Sequence, residues 1–142
     1  MTGRAPPIAT LGRRLLSLSY EILLIFAVIF FASLLYPGAS QASLDGINRH
    51  LFQIYEWLVA GAYLVTCWSR GGQTLAMKTW RLKLTLSDGS PLTPGRAAKR
   101  YVLASISLLT LGAGFLWALI DRDRQFLHDR LSGTQITVIR TG

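Results

Sequence analysis

Residues 15–36 read LLSLSYEILLIFAVIFFASLLY, with one charged side chain, Glu21, in 22 positions. At about 1.5 Å per residue, a helix of this length reaches roughly 33 Å, enough to cross a hydrocarbon core of about 30 Å. Arg13 and Arg14 precede the run, as they would in a secretion signal, and residues 37–43, PGASQAS, offer small side chains for cleavage. The run is nevertheless longer than the roughly 7–15 residues of a signal core, so it is expected to stay as a span. Pro37 and Gly38 are expected to stop it.

Two more apolar segments follow, at about 51–68 and 101–120. Only 15% of the 142 residues are charged, whereas soluble domains carry about 25%. The mean hydropathy of +0.37 agrees with contact to lipid. The chain is still basic, with 15 Lys+Arg against 7 Asp+Glu. An apolar, basic chain points away from nucleic acid and toward loops at an anionic membrane surface.

Charge also orients the segments. Residues 69–100 hold Arg70, Lys78, Arg81, Lys83, Arg96, Lys99 and Arg100, while the loop 37–50 holds only Arg49. The positive-inside rule places 69–100 in the cytoplasm and 37–50 outside. Arg4, Arg13 and Arg14 place the N-terminus inside, with residues 1–12 as a flexible cytoplasmic arm and 13–142 as one membrane domain.

The third segment is ambiguous. A simple crossing would export a tail that carries Arg122, Arg124, Arg130 and Arg140, and Gly112, Ala113 and Gly114 sit at its middle. The choice lies between a single span with an external tail and a broken or re-entrant segment with an internal one. Residues 79–86, TWRLKLTL, alternate as a strand does and end at Asp88-Gly89. Residues 134–139, TQITVI, are also strand-prone, and a lone strand is not stable. Pairing the two requires both on one side of the membrane, which favours an internal C-terminus. The expected fold is an all-α membrane protein with two transmembrane helices, a third broken or re-entrant segment and a small cytoplasmic β pair.

Candidate functional residues are acids in or beside apolar runs. Arg14 and Glu21 stand seven residues apart, almost two turns, on one helix face. Glu56 lies early in the second segment, at a different depth from Glu21, beside Gln53 and Tyr55. A buried charge in a bilayer costs several kcal/mol unless it meets protein, water or a partner. A third group, Asp121, Arg122, Asp123, Arg124, His128, Asp129 and Arg130, begins where the third segment ends. Asp129 there is a candidate partner for Arg14 or Arg100. The only histidines are His50 and His128, and Cys67 stands alone in an apolar run. No catalytic residues, metal site or cofactor are expected.

Arg14-Leu15-Leu16, Gly72-Gln73-Thr74-Leu75 with Lys78, Asp88-Gly89 followed by Arg96 and Arg100, and His128-Asp129 with Gly133-Thr134 occur in this order. The order resembles the RDD family of bacterial membrane proteins, over about 13–139. The resemblance places the family's Arg at Arg14 and its second Asp at Asp129; its first Asp falls on Glu21, a departure that adds a methylene. It implies a multipass protein of the bacterial inner membrane, with ion or solute transport suggested for some members. The alternative is a non-catalytic assembly or partner subunit of a membrane complex. In either case the expected partners are the lipid bilayer and a second copy or another membrane protein, not nucleic acid.

Overall fold

The computed structural model describes residues 7–36, 46–110, 112–122 and 125–139. The Pro37-Gly38 stop, residues 1–6, Asp123, Arg124 and Arg140 lie outside these residues. The elements are α1 (Leu11–Leu34), α2 (Ile47–Gly71), α3 (Leu75–Thr79), β1 (Leu82–Leu86), α4 (Pro94–Leu109), α5 (Ala113–Ile120), α6 (Leu127–Ser132) and β2 (Thr134–Val138).

Helix α1 is turned inside out relative to a helix of a soluble protein. Its buried residues are Arg14, Ser17, Glu21 and Ala32, whereas Ile22, Leu23, Phe26, Phe31 and Leu34 are all more than 60% exposed. Water would normally hold the polar stripe and protein the apolar one. The reversal suits a helix bathed in lipid. Among the described residues, α1 is the one helix long and apolar enough to cross a membrane.

Helix α2 runs antiparallel to α1 and is longer than the apolar segment 51–68, because Arg49, Arg70 and their neighbours continue the helical turns. At one end of the pair, Tyr55 donates to the Ala32 carbonyl at 3.0 Å, and Ser33 donates to Glu56 at 2.9 Å. Helix α4 then packs along α2 at close range. A Cβ on Gly61 would stand 2.6 Å from the Tyr101 ring, and the Tyr101 hydroxyl donates to the Trp57 carbonyl at 2.8 Å.

The third apolar segment is two helices. Thr93 caps α4, so the helix starts seven residues before Tyr101, and it stops at Thr110. Gly112, at φ 74°, takes the left-handed conformation that favours glycine, and α5 starts after it. The chain then returns toward the end where α4 began, because Arg100 near the start of α4 meets Asp129 of α6. The expected break is present.

Strands β1 and β2 pair antiparallel, Leu82 with Val138 through Leu86 with Thr134. The strand is shorter than the alternation over 79–86 suggested. Thr74 caps α3, which takes up residues through Thr79, and Arg81 turns the chain at φ 54° before β1 begins. The free edges of the pair are both covered. On the β1 side, the Leu84 N–H donates to the Gly72 carbonyl at 2.7 Å, and the Gln73 side chain donates to the Leu82 carbonyl at 2.7 Å. On the β2 side, Ala9 donates to the Ile136 carbonyl at 2.9 Å and Val138 to the Pro7 carbonyl at 3.1 Å. Residues 7–9 of the arm expected to be flexible are therefore paired, and Leu11 and Gly12 belong to α1. Leu82, Leu84 and Ile136 on the sheet pack with Leu64, Trp68, Met77 and Ala97 into the main core. The protein thus has a well-packed basal end, around the sheet, and a far end where apolar side chains face outward.

Candidate functional site

Arg14, Ser17 and Glu21 follow one another at spacings of three and four, which stacks them on a single face of α1. That face meets the basal end. Thr74 donates to one Glu21 oxygen and also accepts from the Met77 N–H at 3.2 Å, so the cap of α3 is tied to the carboxylate. The other oxygen, Oε1, has no hydrogen-bond partner among the described residues. Gly72 sets up this contact. It ends α2 at φ 67°, and a Cβ there would stand 2.6 Å from the Leu84 carbonyl oxygen. The Gly-Gln-Thr run therefore serves as helix stop, sheet edge and carboxylate clamp in three successive residues.

Across the cavity, Arg100 forms an ion pair with Asp129, which is 0% exposed. The guanidinium also donates to Thr134 at 3.0 Å and lies 5.0 Å over the Trp68 ring. Ser132 and Thr134 bond to each other at 2.9 Å behind the pair. The Thr134 hydroxyl thus gives the guanidinium one hydrogen bond in addition to the ion pair.

His128 stacks on Phe126 at 5.4 Å, and its Nε2 lies 3.7 Å from Asp129 Oδ1. Burial and the nearby Arg100 charge push its pKa down to about 2. The imidazole is thus neutral, and its contact with Asp129 is not an ion pair. Arg14 lies 5.3 Å over the other partner in this stack, Phe126, with Asp121 in electrostatic reach. Asp121 itself accepts from Arg130 at 2.6 Å.

Arg14, Glu21, Arg100 and His128 line one cavity of about 70 Å³, with Trp68 and Phe126 among its apolar walls. Of the residues singled out from sequence, these four meet. Asp129 is held behind Arg100 and Asp121 lies beside Arg14. Glu56 is elsewhere, at the far end with Ser33. Between the two candidate partners for Asp129, Arg14 and Arg100, the structure pairs it with Arg100. Four residues with clear parts here were not among the candidate functional residues: Ser17, Trp68, and Thr74 and Thr134, which entered only through the family motifs. Ser17 was detectable from its spacing to Arg14 and Glu21, and Thr74 and Thr134 from the Gly-Gln-Thr and Gly-Thr motifs. Trp68 carried no signal, since its role depends on α4 crossing it.

Neither a curated protein nor a solved structure is found to match the chain. A family model does match, that of the RDD family, over residues 8–133. This range contains every residue of the cavity wall except Ile136. Together with the lipid-suited α1, the match makes this a membrane protein, and the chain belongs to the RDD family.

Proposed function

We propose that the chain is a multipass protein of the bacterial inner membrane that moves a small polar solute or ion, with Glu21 as its responsive group. The observation that carries this is the position of Glu21. It projects from an otherwise lipid-facing helix, is 8% exposed, and keeps one oxygen without a hydrogen-bond partner at the wall of a cavity. An unsatisfied buried acceptor costs about 1–3 kcal/mol, which a polar solute in the cavity would offset.

In this reading α1 and α2 both cross, and α4 and α5 form a re-entrant hairpin bent at Gly112. Support comes from the pairing of residues 7–9 and β1 with β2, which draws residues 7–9 and 134–138 together at the basal end. That end also holds Lys78, Arg81 and Lys83, so the positive-inside rule makes it cytoplasmic. A cavity of about 70 Å³ is not a path across a bilayer, so transport calls for a homo-oligomer or a second membrane protein. The alternative role, an assembly subunit, has no comparable observation in its favour.

The test has two arms. A reporter fused after Gly142 is expected to read cytoplasmic, and an external reading overturns the re-entrant hairpin. Proteoliposome flux is expected to be lost in Glu21→Gln, and flux equal to wild type overturns the transport role of Glu21.

A further inference from the structure

Thr74 joins a membrane helix to the sheet through one hydroxyl group. Its oxygen accepts from the Met77 N–H at 3.2 Å, which caps α3, and its single proton goes to Glu21 Oε2. The two bonds form a chain in which each polarises the other, so a hydroxyl that donates to an anion is the better acceptor for the next donor. Thr74 is 1% exposed, so both bonds are shielded from solvent. Helix α3 has only five residues and depends on such a cap. The two residues before Thr74 hold the edge of β1. The Gly72 carbonyl accepts from the Leu84 N–H, and the Gln73 side chain donates to the Leu82 carbonyl. Lys83, between those two positions, is exposed. A continuous set of bonded groups thus runs from the Glu21 carboxylate to the surface of the basal end.

The groups around Glu21 come from five helices. Arg14 and Tyr20 share α1 with it, Tyr63 and Cys67 of α2 lie in electrostatic reach, and Lys78 of α3 acts on Cys67. Arg100 of α4 and His128 of α6 line the same cavity. Among the described residues, the hydrogen bond to Oε2 comes from Thr74, and Oε1 accepts none.

We propose that Glu21 and Thr74 form a proton-sensitive latch, in which the carboxylate holds the α3 cap in place and its protonation releases α3 and the β1 edge. The latch deepens the transport reading and rests on it for Glu21 as the group that responds. As a carboxylate, Glu21 takes a charge-assisted bond from Thr74, roughly twice as strong as a neutral one. With a proton on Oε1, the oxygen that has no partner, the carboxyl takes only the neutral bond. The first turn of α3 then loosens, and with it the residues that hold Leu82 and Leu84. A proton taken up beside the cavity is thereby read at the basal surface, as a local charge change that biases a small two-state element.

Hydrogen–deuterium exchange of the full chain in micelles across pH, corrected for the intrinsic rate at each pH, reads the latch. Infrared difference spectra of the same samples, with Glu21→Gln as the blank, follow the Glu21 proton. Exchange over α3 and at Leu84 is expected to rise about fivefold or more as the Glu21 carboxyl band appears, with no change over residues 102–106 of α4. Glu21→Gln, which resembles the neutral acid, is expected to show the faster exchange at every pH. In Thr74→Val the carboxyl band is expected to persist to higher pH, because the carboxylate has lost its donor, and Thr74→Ser is expected to restore the wild-type titration. Loss of a helix cap by itself would not move that band, and the band is readable even where α3 has come undone. The latch is overturned by α3 exchange that stays flat through the Glu21 titration, by a Glu21 that does not titrate over the range in which the fold persists, by wild-type protection in Glu21→Gln, or by an unmoved band in Thr74→Val. Flux lost in Glu21→Gln with α3 exchange unchanged overturns the latch alone; a working latch without flux overturns transport alone.

Discussion

Glu21 and Glu56 are each the only acid in a long apolar helix, yet the two ends of the molecule use them differently. At the far end, Glu56 is half-buried and accepts from Ser33, which also donates to its own helix at the Ile29 carbonyl. Tyr55 beside it ties α2 to α1 in the same way. These are links between two helices. At the basal end, Glu21 is enclosed by α1, α3 and the loop before it, and it lines one cavity with Arg14, Arg100 and His128. An acid in an apolar run is thus not a site in itself. What makes one is enclosure by several elements that leave room and an unsatisfied oxygen.

The largest expected effect tests that enclosure. Arg100→Met removes the cation from Asp129, and leaving a fully buried carboxylate unpaired costs about 3–5 kcal/mol. Chemical unfolding in micelles measures the loss. A loss below about 1 kcal/mol, the usual worth of an exposed pair, would show that the basal end is as open as the far end.

A second effect comes from pH. His128 is held neutral in the fold, with its pKa lowered to about 2, while in the unfolded chain it titrates near 6.5. The unfolded state therefore binds more protons between these values. The associated stability is fully present above pH 6.5 and falls as pH drops toward 2. One proton difference costs about 1.4 kcal/mol per pH unit, or about 2 kcal/mol between pH 6.5 and 5. In His128→Gln this part of the slope is expected to vanish. A slope unchanged by the substitution would mean that the basal end admits water to the imidazole.

The smallest effect is expected at the far end. Glu56→Gln keeps an acceptor for Ser33, so the expected change in stability is below about 1 kcal/mol, with flux unaffected. Loss of flux in Glu56→Gln would break the comparison, by showing that both acids serve one path.

Much of the basal end was legible because its motifs are local. The alternation of Leu82 and Leu84 with Lys83 and Thr85 marked β1, and the strand-prone run from Thr134 marked its partner, since two short strands need each other. Gly112 marked the break between α4 and α5 by its conformational freedom. Arg14 and Glu21 shared a face because helical geometry is regular. Less legible were the short helices α3 and α6, five and six residues long, which are too brief to show a period. The pairing of Pro7–Ala9 with β2 was hidden for a similar reason: three residues carry no pattern.

The sequence by itself determined that this chain meets lipid, that its third apolar segment has a place to break and that its two strands belong together. Each of these follows from composition, from one residue's backbone freedom or from a period along the chain. Only the tertiary structure decided that Asp129 answers Arg100 rather than Arg14, that Trp68 lies under the guanidinium and that Glu21 lines a cavity while Glu56 accepts from Ser33. Those facts depend on which helices cross and how far apart they stop, and distance between separate elements is not a property that any local stretch of sequence carries.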